Sequence, residues 1–269
     1  MKKLIVTAFA AALVAATFAG CAKKGANGDN SLAGLKQRGA FVLGLDDSFP
    51  PMGFRDEKNE IVGFDIDLAK EVSKRLGVQF KAQPINWDSK EQELNTGKID
   101  CIWNGLTITE DRKKALSFTK PYLANKQVVV VRANSGFKKL ADLKGKKIAL
   151  QSGSSAEDAV NDSPDFKASV KEIVQLDQNL MALNDLVIGG VDGVVMDSIV
   201  AEYAIKQSSL PLVLLEESLA AEEYGVAFRK GDVQLTEAVQ KTLEEMAADG
   251  TVARISAAWF GSDITVIGK

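Results

Sequence analysis

Ile102-Trp103-Asn104-Gly105-Leu106-Thr107-Ile108-Thr109-Glu110-Asp111-Arg112 is the stretch on which the reading of this chain turns. A hydrophobic run over residues 99–103 stops at small and hydroxylated residues, and a single arginine follows five residues after Thr107. That order brings backbone groups, a hydroxyl and a guanidinium together at the end of a strand. Such a set suits a small zwitterion, because the planar guanidinium forks onto a carboxylate while carbonyl and hydroxyl oxygens receive an ammonium. The segment reads as half of an amino-acid site.

Outward from it, β-type runs alternate with helical patterns. Residues 41–45 read as a strand and residues 65–76 as a helix, with Ile66, Ala69, Val72 and Leu76 on one face and Asp65 as its N-cap. Strands over 78–80 and 99–103 flank a short helix at 90–95. A second unit repeats the theme, with strands at 127–131, 147–150, near Ile173 and at 193–197. Its helices fall at 155–161 and 180–187, the latter closed by Gly189-Gly190. Strands at 212–215 and 224–229 lead to a helix with Leu235, Val239, Leu243 and Met246 on one stripe and a last helix carrying Trp259. This alternation predicts an α/β protein built on mainly parallel sheets flanked by helices.

The chain begins with an address. Lys2 and Lys3 precede an uncharged, mostly apolar run over residues 4–18, followed by Ala19-Gly20-Cys21. A charged start, a short apolar core and small residues describe an export signal over residues 1–20. The run is shorter than the roughly 20 residues a spanning helix needs. Cysteine after Ala-Gly resembles the bacterial lipoprotein cleavage box, which implies lipidation of Cys21. An ordinary signal peptide cut nearby, with Cys21 a bystander, is the alternative. Residues 21–32, rich in Gly, Asn, Lys and Ala, read as a flexible tether.

Composition excludes several classes. The 269 residues carry 33 basic and 36 acidic side chains; losing residues 1–20 removes two lysines and no acid, moving the formal charge from −3 to −5. A mildly acidic chain without a basic run is a poor nucleic-acid binder. The length fits one large domain or two lobes with their own cores. Cys21 and Cys101 are the only cysteines, so there is no disulfide framework, and Cys101 reads as a small buried hydrophobe. Histidine is absent, which removes Ser-His-Asp and Cys-His catalysis and imidazole-bound zinc. Gln151-Ser152-Gly153-Ser154-Ser155 lacks the Gly-Lys-Ser of a phosphate loop, and Ala69 breaks any calcium loop starting at Asp65 and Asp67. No cofactor, metal or catalytic residue is expected.

Gly63-Phe64-Asp65-Ile66-Asp67-Leu68-Ala69-Lys70-Glu71-Val72 resembles the signature of the bacterial extracellular solute-binding proteins of family 3, which take polar amino acids. Residues 104–112 resemble that family's binding segment, and Asp249-Gly250-Thr251 with Ile255, Trp259 and Gly261 resembles its C-terminus. The likeness runs from about Gly39 to Gly261. It implies a two-lobed, type II periplasmic-binding-protein-like fold that closes on its ligand. Lobe one would comprise residues 33–124 and 225–269, lobe two residues 128–221, with hinges near 125–127 and 222–224.

The resemblance also implies roles. Arg112 would clamp the ligand's α-carboxylate, helped by the amide of Thr107 and by that of Ser155 at a helix N-terminus. Asp197, the Gly105 carbonyl and the Thr107 hydroxyl would receive the ammonium. Asp46, Phe49, Trp87 and Asn104, with Gln151, would line the side-chain pocket, and Asp46 would favour a polar or cationic ligand over an acidic one. Arginine, lysine, glutamine and cystine all remain open.

Ordinary readings stand beside these. Arg112 could pair with Glu110 or Asp111 on the surface, and Asp197 could cap the next helix. Phe49 and Trp87 could be core aromatics, Asp46 a turn residue, and Ser152 or Ser154 the serine that matters. Asp65 and Asp67 are assigned to capping and surface. The function implied is the binding component of an ABC importer: a monomer, lipid-anchored outside the cell membrane, serving a permease and ATPase complex. A dehydratase of this fold, or a sensing module for a signalling partner, is the alternative; the chain is expected to end with the binding domain, without a fused enzyme or spanning segment.

Overall fold

The computed structural model describes residues 28–208 and 210–269. The export signal, Cys21 and tether residues 22–27 lie outside the described residues. The end of the tether behaves differently from expectation, because Ser31 and Leu32 open helix α1 (Ser31–Arg38), which Leu35 anchors by complete burial.

The first unit is laid down in one pass. Strand β1 (Ala40–Leu45) buries Phe41, Leu43 and Leu45 completely. Strands β2 (Ser48–Phe49), β3 (Gly53–Arg55) and β4 (Ile61–Val62) form a small antiparallel sheet. Elements two or three residues long leave no periodicity in the sequence that could announce them. Helix α2 (Phe64–Leu76) buries Ile66, Ala69 and Val72 as expected and ends at Gly77, whose φ of 74° suits a residue without a Cβ. Strand β5 (Gln79–Pro84), helix α3 (Lys90–Asn95) and strand β6 (Cys101–Ile102) follow. All of residues 99–103 are buried, but pairing outside the two-residue strand is reduced to single bonds, Asp100 N to Val42 O at 2.8 Å and Trp103 N to Gly44 O at 3.3 Å. Helix α4 (Glu110–Ala115) and strand β7 (Leu116–Phe118) complete the pass.

Strand β8 (Leu123–Arg132) then crosses into the second unit. There β9 (Lys147–Gln151), α5 (Ser155–Asn161), α6 (Pro164–Ser169), β10 (Glu172–Leu176), α7 (Asn179–Ile188), β11 (Gly193–Asp197) and α8 (Ser198–Ser208) alternate. Strand β12 (Leu212–Tyr224) returns to the first unit, where β13 (Ala227–Arg229), α9 (Val233–Ala248) and α10 (Thr251–Phe260) finish the fold. The stripe Leu235, Val239, Leu243 and Met246 of α9 is buried, and α9 packs on α1, α2 and α10. Burying each such side chain contributes about 1.5–3 kcal/mol before chain entropy is set against it.

The two sheets have matching architecture, β5-β1-β6-β13-β7 and β10-β9-β11-β8-β12. In each the first three strands are parallel and the fourth is antiparallel to both its neighbours. Two mainly parallel sheets joined by crossing strands make the two-lobed type II architecture. Strands β8 and β12 pair from Leu123↔Tyr224 to Arg132↔Leu212, and their first-unit ends bridge onward, Leu123 to Thr265 and Tyr224 to Thr107. Residues 125–127 and 222–224 lie in this ribbon. The single strand expected over 224–229 is divided at Gly225-Val226, because the chain changes partner sheets there.

Candidate ligand-binding cleft

Each unit presents the carboxyl ends of its parallel strands to the other, the place where open α/β sheets form ligand crevices. Asp46 follows β1 directly, Trp87 lies beyond β5 and Asn104 beyond β6, while Gln151 ends β9 and Asp197 ends β11. Contacts cross between the units: Gln151 Nε2 donates to Asp46 Oδ2 at 2.7 Å and Ser155 Oγ to Thr107 Oγ1 at 3.0 Å. Arg112 Nη2 and Lys90 Nζ both donate to the Gly153 carbonyl, at 3.2 and 2.8 Å.

Arg112 is held by its own helix start. Thr109 caps α4 by accepting the Arg112 amide at 3.2 Å, and Arg112 Nη1 donates to the Thr107 carbonyl at 2.9 Å. The side chain is 8% exposed, whereas Glu110 and Asp111 turn outward to Lys113 and Lys114. The surface pairing considered for Arg112 therefore does not occur. Burial pulls its pKa down, opposed by the negative charges of Asp158, Glu91, Glu222 and Asp197. A guanidinium so placed stays charged.

Across the cleft, Asp197 Oδ1 accepts from Asn125 Nδ2 at 2.6 Å, Tyr224 Oη at 2.7 Å and Gln127 Nε2 at 3.0 Å. Burial, then the charge of Glu222, pushes the Asp197 carboxyl up to about 7. Among the three crowded serines, Ser155 faces Thr107, while Ser154 Oγ folds back onto the Gln151 carbonyl at 2.7 Å.

The side chains expected to line a pocket occupy turn and core positions. Asp46 Oδ1 accepts the Ser48 amide at 2.9 Å, closing a turn, and the Asp46 amide donates to Asn104 Oδ1 at 3.0 Å. Burial raises the pKa of Asp46, against the hydrogen bonds from Gln151 and Ser48. Gln151 is fixed in turn by Asn179 Nδ2 at 3.0 Å and by its bond to the Asp177 carbonyl at 2.9 Å. Phe49 and Trp87 are both buried in apolar clusters. Gly105 has φ 58°, and a Cβ there would come within 2.9 Å of the Phe49 ring. Glycine is required at that position on both counts.

The profile of the bacterial extracellular solute-binding proteins, family 3, matches residues 41–262. The chain belongs to that family. This solute-binding protein is 31% identical to the L-cystine-binding protein TcyJ of Escherichia coli (strain K12), over 94% of each chain. It is 32% identical to ABC transporter arginine-binding protein 1 of the same strain, over 97% of this chain and 99% of the relative. Its fold superposes with a TM-score of 0.86 on an ABC uptake transporter substrate-binding protein from Streptococcus pneumoniae with bound histidine, at 34% identity, covering 89% of this chain and 99% of that one.

Asp65 requires a correction. The N-cap of α2 is Gly63, and Asp65 is completely buried, its Oδ2 accepting the Gly105 amide at 2.7 Å and the Tyr122 hydroxyl at 2.9 Å. Burial pushes it up to about 7, with the Gly105 and Tyr122 bonds opposing. In this solute-binding protein it holds the segment at Gly105 from behind. A signal was present: Asp65 precedes Leu68, Ala69 and Val72 at helical spacing, which puts it on the inward face. Asp67 does lie outward, accepting Trp259 Nε1 at 2.9 Å.

Sequence reading also passed over Asn125, Gln127, Glu222, Tyr224 and Lys90. In β8, Asn125 and Gln127 are buried while Ala124 and Lys126 are exposed, an alternation visible only once the strand is known to extend back to Leu123. Lys90 is buried over the Trp87 ring, 5.2 Å from its centroid; burial, then Arg112, pulls it down to about 8.

Proposed function

We propose that this chain is the capturing component of an ABC importer for a polar or cationic L-amino acid, anchored through lipid on Cys21 outside the cell membrane and delivering to a permease and ATPase complex. The observation that supports the reading is that the Arg112 guanidinium and the Asp197 carboxyl, from different units, are near enough for the charge of one to act on the other, where the units meet through Ser155 and Thr107. In this reading Arg112 takes the α-carboxylate with the Thr107 and Ser155 amides, and Asp197 takes the ammonium with the Gly105 carbonyl and Thr107 hydroxyl. Asp46, Phe49, Trp87, Asn104 and Gln151 surround the ligand's side chain. Because the charges of one ligand are met from both sides, the ligand stabilises the closed arrangement by its greater affinity for it. Relatives named for cystine, arginine and histidine support an amino-acid ligand.

Titration calorimetry of the mature protein against the common L-amino acids and L-cystine tests this. Saturable one-to-one binding of a polar or cationic member is the expected result, and silence across the whole panel defeats the proposal. The pocket acid has its own test. Asp46→Asn should weaken L-arginine binding about ten- to hundred-fold and L-glutamine less than about three-fold, since only the cation loses an opposite charge. Equal losses for the two ligands remove Asp46 from side-chain recognition.

A further inference from the structure

Glu222 stands on β12 in the ribbon between the units, and its Oε2 gathers donors from both. Thr107 Oγ1 lies at 3.0 Å and Ser155 Oγ at 3.3 Å, with Asn125 Nδ2 and Gln127 Nε2 each at 3.0 Å. The same two amide nitrogens donate to Asp197 Oδ1. Two carboxylates thus share one set of donors, beside the hydroxyls of both units. Like charges this close oppose each other's ionisation, and a cation between them relieves the repulsion.

The other charged and titratable groups around the pair are few. Arg112 on α4 feels both carboxylates, Tyr224 on β12 donates to Asp197, and Tyr122 lies behind Tyr224 with its hydroxyl turned to Asp65. Burial holds both tyrosines well above their ordinary pKa, so neither titrates near neutrality.

We infer that the ligand's ammonium is received by Asp197 and Glu222 together, and that its arrival expels a proton held by the pair. This rests on the amino-acid reading above. The balance is simple: the singly protonated pair and the R–NH3⁺ ligand give two ionised carboxylates hydrogen-bonded to the ammonium, and one proton goes to solvent. The raised pKa of Asp197, pushed to about 7 by burial first and then by the charge of Glu222, agrees with a carboxyl that holds a proton below neutrality. Affinity should then fall about ten-fold per unit as pH drops below that titration. Closure and ammonium recognition become one event, because Glu222 reaches the ligand from the connecting strand.

Calorimetry with L-arginine, L-glutamine and L-cystine, in two buffers of different ionisation enthalpy, tests this. Wild type should release about one proton per ligand near pH 6 and almost none near pH 8.5. Glu222→Gln should bind at least about ten-fold more weakly near pH 8.5, from the lost charged contact. It should also release measurably less than one proton near pH 6, because the Glu222 charge that adds to burial in raising Asp197 is gone. Glu222→Asp should recover part of both, and circular dichroism should show all three proteins folded. Wild-type binding without proton release near pH 6 overturns the proposal whatever the variants do. So does a Glu222→Gln protein with wild-type affinity and release. If wild type is silent across the whole panel of common L-amino acids and L-cystine, the amino-acid reading itself falls.

Discussion

Arg112→Ala should raise the dissociation constant for the preferred amino acid by about thirty-fold or more while leaving the protein folded. The size follows from what is removed. A buried, charge-assisted contact to a ligand carboxylate typically costs about 2–5 kcal/mol to truncate, and about 1.4 kcal/mol is ten-fold in affinity. The fold should tolerate the change because the bonds lost, to the Thr107 and Gly153 carbonyls, are set against relief of a desolvated cation. Arg112→Lys provides the control: it keeps the charge but loses the planar fork, so it should recover only part of the affinity. Near-normal binding by the alanine protein, measured by calorimetry on material with a wild-type melting curve, would remove Arg112 from the clamp.

Raising the pH from about 4.5 to about 8 should destabilise the ligand-free protein, against the common trend for acids engaged in ion pairs. Asp65 ionises near 3.8 in an unfolded chain but is pushed up to about 7 in the fold. Between those values the folded protein holds a proton that the unfolded chain has released, so each rise in pH favours unfolding. At its limit the shift corresponds to roughly 4 kcal/mol, and Asp197 acts in the same direction. Acids held low by partners, such as Glu71 and Asp249, act below this window. Lys90, pulled from 10.5 down to about 8, acts above it.

Asp65→Asn isolates the effect. The amide oxygen can still accept from Gly105 and Tyr122, but the titration is gone, so urea unfolding should show a visibly flatter pH profile than wild type. An unchanged slope in the variant would show that Asp65 is not the titrating group.

How much of the site was legible depends on where each partner sits in the chain. Thr107 and Arg112 are five residues apart at a helix start, so their meeting is local, and the structure does turn Arg112 Nη1 back onto the Thr107 carbonyl. Asp46 and Gln151 are 105 residues apart, and their contact needs both sheets complete. Asp65 shows an intermediate case. Its helical spacing points inward, yet only the return of the chain at Gly105, 40 residues on, reveals why a carboxylate is there. Glu222 carried no warning. Residues 212–224 are neither strictly alternating nor continuously apolar, since β12 has register irregularities between Leu214 and Ala220.

Periodicity and short motifs by themselves determined the α/β class, the inward face of α2, the stripe of α9 and the local Thr107–Arg112 pairing. Each depends on side chains within a few turns of one another, where spacing dictates which neighbours meet. Tertiary structure alone decided that Asp197 has a second carboxylate beside it, that Ser155 rather than Ser154 faces Thr107, and that Lys90 is buried against Gly153. Those facts arise from crossing strands that bring distant segments together and remove water from between them, and no local pattern in the chain encodes desolvation by a partner so far away.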